Sequence, residues 1–550
     1  MNTHTPRWAP VAATGAALAL MLSACGDGGS DATDPSGTAG TSTSGGEVVY
    51  AIDTPITSLD PNVTGAAQEA RIIRQFTDSL VTLDGDGTIG PWLATSWETS
   101  EDGLSYTFGL RDGVTFSDGT AFDAAAVCFN FDRIADPATG SLAAVGLIGP
   151  YESCEATDAL TAVVTLSAPF VPFLNNMSSS FMGMVSPTAV QELGAAAFAL
   201  APVGTGPFVV ESYVPNDRVV LTANPDYDWA PDTAGHDGTA YLDTVTFQII
   251  SDATVRMGSL RSESVDIVGI VPETEIAAVQ SDTSLQFISQ PAPGASTQLF
   301  FNQESGPLAD KAVREAVRSA IDFDGAVTAL YFGAFDRAWG PLTPATTGYD
   351  PAVEDSFAYD PDEAADLLDS AGWKTGSDGI REKDGERLTL RYIDQDPNRE
   401  KRQDYAEFIR QNLADVGIEV ELAFEANAPL TEDRTTGGYD LATLSYGSID
   451  PNILSMLYSS TAIPTATSTG FNLGRFSDPE MDALLTAGQA ETDLDARLDI
   501  YSQIQQRVLD EVDSVGLYVP AYTVAASTAV TGLTFGADGY PILYDVSVAR

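Results

Sequence analysis

Strand and helix patterns alternate from one end of this chain to the other. That alternation constrains the fold more than any other feature, because interleaved elements pack as layered α/β lobes rather than as a β sandwich or a helical bundle. Runs of period two predict strands at 48–52, 106–110, 163–166, 208–210, 219–221 and 245–250. Helical spacing predicts helices over 310–320, 361–370, 405–416 and 493–510, with stop signals at Ala371-Gly372 and at Gly417. No fixed-period repeat is visible. A chain of 550 residues, 44% of them hydrophobic, holds more apolar material than one core accommodates, so two or three domains are expected.

The first residues read as an address. Arg7 precedes an apolar run containing Val11, Leu18, Leu20, Met21 and Leu22, too short to span a bilayer, and small residues follow before a cysteine. Leu22-Ser23-Ala24-Cys25 resembles a bacterial lipobox, which implies signal removal after residue 24 and lipidation of Cys25. The alternative is an ordinary secretion signal with an incidental cysteine. Residues 26–46 are almost entirely Gly, Ser, Thr, Asp, Ala and Pro, a flexible tether, so the folded part is expected to start near Glu47.

The net charge is −52, and the four lysines all lie between Lys311 and Lys401. Phosphate neutralisation needs clustered cations, so no nucleic-acid partner is expected. Outside the lipobox stand Cys128 and Cys154, in a compartment where thiols oxidise. A disulfide between them would contribute about 3 kcal/mol, with two unpaired buried thiols as the alternative. Of two histidines, His4 falls in the signal and His236 sits beside Asp237 in a polar loop, where a solvated ring is expected. No HExxH, CxxC, nucleophile elbow or phosphate-binding loop is present, and Gly204-Thr205-Gly206-Pro207 lacks the third glycine of a dinucleotide cradle. Neither a cofactor, a metal site nor a catalytic constellation is expected.

A longer pattern then carries a specific resemblance. Pro91-Trp92-Leu93-Ala94-Thr95-Ser96-Trp97-Glu98, followed by Asp102-Gly103-Leu104-Ser105-Tyr106-Thr107-Phe108, Leu110-Arg111-Asp112-Gly113-Val114 and Phe116-Ser117-Asp118-Gly119-Thr120, resembles the signature of the family 5 solute-binding proteins of ABC importers. Further matches follow in order: Ser58-Leu59-Asp60-Pro61, Gly204 to Phe208, Asn224-Pro225-Asp226-Tyr227, Val313-Arg314-Glu315-Ala316 with Ala320-Ile321-Asp322, Tyr359-Asp360-Pro361 leading to Ala371-Gly372-Trp373, Gly417-Ile418-Glu419-Val420, and Asp450-Pro451.

The resemblance implies a two-lobed α/β fold of the type II periplasmic-binding-protein kind with an extra α/β subdomain. Lobe I would comprise 47–90, 204–294 and 518–550, the extra subdomain 91–203, and lobe II 295–517. Hinge crossings would lie near Pro291-Ala292-Pro293-Gly294 and Gly516-Leu517-Tyr518. By the same resemblance the groove would be lined by Thr64, Gly65 and Ala66, by Gly269 and Ile270, by Gln298, Phe300 and Asn302, and by Ser445, Tyr446, Gly447, Ser448 and Asp450, with Arg434 placed to meet a ligand carboxylate. Peptide-binding members carry an aspartate three positions before the Asp-Pro pair, where it holds an ammonium group, and here that position is Gly447. Either Asp440 or Asp450 substitutes, or no amine anchors the ligand. Asp60 and the Asp450-Pro451 pair also read as turn or cap residues.

The expectation is therefore a lipid-anchored, monomeric receptor on the outer face of the cytoplasmic membrane. It would capture a peptide or peptide-like solute and pass it to a permease driven by an ATPase. A non-peptide solute such as a sugar or opine is the first alternative, a nickel chelate is less favoured with one mature histidine, and a hydrolase or an adhesin would be rivals from other classes.

Overall fold

The computed structural model describes residues 44–84, 87–466 and 470–549. The signal segment 1–24, Cys25 and most of the tether 25–46 lie outside the described residues. Backbone contacts already tie the residues just before Glu47 to the rest, the Gly45 amide donating to the Tyr241 carbonyl at 2.7 Å and the Gly46 amide to Asp243 at 3.1 Å.

Two large sheets organise the chain. The first has seven strands in the order Leu285–Pro291, Ala521–Ser527, Ile267–Gly269, Glu47–Ile52, Thr244–Ile249, Arg218–Ala223 and Phe208–Val214. Its centre is parallel, with Tyr50 opposite Phe247 and Ile267, and its antiparallel flanks close the edges. The second has six strands in the order Asp336–Arg337, Ser514–Val519, Gly294–Phe301, Leu441–Gly447, Thr389–Gln395 and Glu419–Glu425. A separate four-stranded antiparallel sheet, drawn from 94–166, carries the helix Ala124–Ala135 on its face. One large core, around Tyr50, Phe108, Phe131 and Phe173, joins the seven-stranded sheet to the four-stranded one, and another gathers around Tyr331, Tyr392, Tyr405 and Tyr518.

The predicted elements are present, with caps that explain their bounds. Helix Pro361–Ser370 starts where Asp360 accepts from the Glu363 amide, with Pro361 at a position whose amide has no helical partner. It stops at Gly372, whose φ of 93° only glycine adopts without strain. Helix Leu494–Glu511 is capped by Asp493, and helix Lys311–Ser319 by Asp310.

The large sheets exchange chain at two crossings. Leu285–Pro291 passes directly into Gly294–Phe301, through the expected Pro-Ala-Pro-Gly segment. The return crossing lies at Pro520, between Ser514–Val519 and Ala521–Ser527, just past the expected 516–518 segment, which is buried inside the first of these strands. Proline lacks the amide that would continue the ladder, so the strand breaks there. The Ala292 amide donates to the Pro520 carbonyl at 2.8 Å and ties the crossings together.

Cys128 and Cys154 are joined, their Cα atoms 5.1 Å apart, fastening helix Ala124–Ala135 to strand Tyr151–Asp158. His236 departs from the solvated reading: its ring stacks between Tyr241 and Tyr544, with centroids at 3.9 and 4.2 Å, while Nδ1 meets Asp545 at 2.7 Å. Among the described residues, no helix is long and apolar enough to cross a membrane.

Candidate functional site

In open α/β sheets, ligands lie beyond the carboxyl ends of strands. Strand Leu441–Gly447 runs parallel to Thr389–Gln395 and delivers its carboxyl end to the first crossing, where Gly447 pairs with Gly294. Tyr446 and Gly447 are the exposed end of an otherwise covered strand. Tyr446 is 37% exposed, yet burial raises its phenol pKa, a combination expected of a group on the wall of a concavity. The Phe471 ring lies 5.5 Å from it.

Beside this strand end sits a polar cluster. Arg402 donates to Ser445 Oγ at 2.7 Å, to Glu400 at 3.0 Å and to the Tyr518 hydroxyl at 3.2 Å, and that hydroxyl donates to Glu400 at 2.7 Å. Burial pushes the Glu400 carboxyl up, but the Arg402 and Arg399 guanidiniums and the Tyr518 hydroxyl outweigh it and hold the group below its ordinary range. Arg434, from helix Asn427–Thr436, reaches the Thr443 carbonyl at 3.4 Å, and its buried Nε has no partner. Burial lowers its pKa, opposed by Asp394. It is a desolvated cation with donor capacity left over.

The candidate opposite wall belongs to the seven-stranded sheet. Arg71, on helix Ala67–Ile73, lies over the Tyr522 ring at 3.8 Å and stands 5.6 Å from the Tyr540 ring. Burial raises the Tyr540 pKa, with a small contribution from Tyr446. Nearby, Arg74 pairs with Asp538 at 3.3 Å.

The expected lining residues divide between cleft and core. Ser445, Tyr446, Gly447 and Arg434 gather at the strand end just described. Ser448 turns the chain there, its amide on the Pro293 carbonyl. Ile270 is 38% exposed in a left-handed conformation, and Gly269 packs so closely on Tyr522 that a Cβ would lie 2.2 Å from its hydroxyl. Gly65 is exposed beside Leu142, and Ala66 opens the helix that carries Arg71. Thr64 is buried and serves that helix entry, donating to Glu69 and accepting from the Ala66 amide.

Gln298, Phe300 and Asn302 do not line the cleft. Strand Gly294–Phe301 is paired on both edges and buried at every position. Gln298 bonds Ser296, Ser514 and the Gly340 carbonyl; Asn302 bonds the Gly437 and Tyr439 carbonyls; Phe300 packs on Tyr458. Nor does either candidate aspartate replace the one missing at 447. Asp440 precedes the amino end of the same strand, about 20 Å away along seven residues, and accepts from the Arg391 amide. Asp450 is 2% exposed and engaged at both oxygens, with Arg497 at 2.7 and 3.0 Å, Asn175 at 2.8 Å and the Asn452 amide at 2.8 Å. Asp60 is likewise structural, buried against Arg133.

Among the described residues, no group of three or more His, Cys, Asp and Glu side chains stands where it could hold a metal ion.

Comparison with known proteins agrees with this architecture. Residues 88–465 match the family described as bacterial extracellular solute-binding proteins, family 5. The glutathione-binding protein GsiB of Escherichia coli O1:K1 / APEC is 27% identical over 498 residues, covering 88% of this chain and 91% of that protein. NikA from Brucella suis, solved in complex with Fe(III)-EDTA, superposes with a TM-score of 0.80 at 26% identity, over 92% of this chain and 100% of that one. DppA from Helicobacter pylori, solved with the peptide STSA, gives 0.74 at 25% identity, over 92% and 99%. These relatives are binding proteins rather than enzymes, and the protein described here belongs to the family 5 extracellular solute-binding proteins.

Proposed function

We propose that this protein captures a peptide or peptide-like solute in the cleft between its two large sheets and hands it to a membrane permease. The substrate-binding role in an ABC import system comes with the family; the solute class is our reading. The observation that carries it is the wall formed by Tyr446, Gly447, Arg402 and Arg434 at the hinge. There an accessible aromatic ring offers stacking surface and a half-satisfied guanidinium offers charge to a carboxylate. Closure on the solute requires that it touch both walls, since a ligand bound equally well in open and closed forms shifts nothing. The relatives named above, one binding glutathione and another solved with a tetrapeptide, support the class.

The extracytoplasmic location follows from the family. Within it, we place a monomer on the outer face of the cytoplasmic membrane, held by lipid on Cys25. Cys25→Ser should release it into the medium, and continued membrane retention would refute the anchor. We assign the protein capture without turnover, in keeping with its relatives.

A non-peptide solute is the second reading, and Gly447 favours it, because no carboxylate stands where an ammonium group would be held. A thermal-shift screen with dipeptides, longer peptides, glutathione, opines, oligosaccharides and nickel chelates separates the two, since any ligand of the native state raises the melting temperature. Stabilisation by peptides supports the first reading. Stabilisation by sugars or other non-peptide solutes alone overturns it in favour of the second.

A further inference from the structure

Arg71 stands out among the buried and half-buried arginines. Those without a carboxylate partner generally spend their donors on the backbone: Arg256 on the Ile250, Ser251 and Ile270 carbonyls, Arg314 on the Leu308, Glu511 and Val512 carbonyls. The Arg71 guanidinium has neither an ion pair nor a hydrogen bond among the described residues. Its Nε is shut away from solvent without an acceptor, and its ring contacts are the Tyr522 face at 3.8 Å and the more distant Tyr540. The nearby carboxylate of Asp538 is taken by Arg74. In a chain with 78 acidic and 26 basic residues, a cation left without a counter-charge is conspicuous.

The chemistry of this arrangement is specific. A guanidinium held over an aromatic ring can leave a donor edge free for two parallel hydrogen bonds to a carboxylate. A buried donor without a partner is unfavourable, and a bound acceptor removes that cost. Arg71 lies between the Tyr522 and Tyr540 rings of the seven-stranded lobe, so an anion bound there would be held from the side of the cleft opposite Tyr446.

We propose that Arg71 receives a carboxylate of the bound solute, so that the cleft selects acidic peptides over their neutral isosteres. The inference rests on the peptide-capture reading above, and it assigns to the seven-stranded lobe a specificity contact distinct from Arg434.

The test titrates the full-length protein and its Arg71→Gln and Arg71→Lys variants with three tripeptide mixtures. One carries a glutamate and a free carboxyl terminus, one replaces the glutamate by glutamine, and one is amidated at its terminus. Wild type should lose about tenfold or more in affinity on at least one of the two replacements, the scale of a charge-assisted bidentate contact. Arg71→Gln should abolish that preference, and Arg71→Lys, which keeps the charge and loses the fork, should retain part of it. The melting temperature of each variant without peptide controls for folding, and Arg71→Lys carries the test should the glutamine variant not fold. Indifference of the wild type to both replacements overturns the inference while leaving peptide capture intact, as does an undiminished preference in both variants. Failure of all three mixtures to bind the wild type overturns the peptide reading itself, and the inference with it.

Discussion

Replacing Asp450 by asparagine distinguishes a structural ion pair from a ligand anchor. Arg497 and Asp450 meet in a bidentate pair at 2.7 and 3.0 Å, with side chains 4% and 2% exposed. The asparagine side chain would keep one oxygen, for either Asn175 or the Asn452 amide, which meet different carboxylate oxygens, and would leave the Arg497 guanidinium in the interior with the Gly488 carbonyl and the Tyr501 hydroxyl. Breaking one side of a buried pair costs about 3–5 kcal/mol, because the remaining charge is uncompensated. At about 2 °C per kcal/mol for large domains, the melting temperature should fall by about 6–10 °C. Differential scanning calorimetry measures this, alongside peptide affinity determined well below the transition. The additional change Arg497→Met should recover part of the loss, since an apolar replacement removes the stranded charge. An unchanged melting temperature with weakened peptide binding would refute the structural assignment and return Asp450 to the cleft.

Other perturbations test neighbouring points. A Cβ on Gly447 would meet only the Pro293 carbonyl, at 3.8 Å. Gly447→Asp should therefore fold with a melting temperature close to wild type and gain affinity for peptides with free amino termini over N-acetylated ones, measured by calorimetric titration. Asp78, buried with Trp229 Nε1 donating to it at 3.0 Å, has its pKa pushed up by burial to about 7 from 3.8. The native state thus binds a proton that the unfolded state has released between about pH 4 and pH 7, so this group's contribution is complete below pH 4 and is lost as pH rises through 7. Asp78→Asn should remove up to about 4 kcal/mol of that dependence, seen as a flatter stability profile in urea unfolding from pH 4 to 8. Asp513, raised by burial to about 6, has the same sign and would remain. Reduction of the Cys128–Cys154 bond should cost about 3 kcal/mol in the same assay, for a loop spanning 26 positions.

Much of the fold was legible because its signals are local. The period-two runs, the Asp and Pro at helix starts and the glycines after helix ends all act within a few residues, and the elements formed where those signals stand. The first crossing was legible for the same reason, and the second falls just past the expected segment, at Pro520, because strand Ser514–Val519 pairs through residues 516–518. The cleft was harder to read. Gln298 and Phe300 sit in a strand whose neighbours on both edges come from residues more than a hundred positions away, and Asn302 follows directly after it; that pairing buries them. The pattern around Asp450-Pro451 points to Tyr446 and Gly447, whereas Arg71, Tyr522 and Tyr540 gather from opposite ends of the chain with no local motif. The scarcity of basic residues was the one signal pointing to Arg71, and it names no position by itself.

The central claim is capture between two walls, and hydrogen–deuterium exchange of the purified protein with and without a saturating peptide mixture tests it most directly. Capture in the cleft predicts new protection at 443–447 on one wall and at 521–527 and 540 on the other, appearing together as peptide is added. Protection confined to one wall, or binding that protects neither segment, would contradict it.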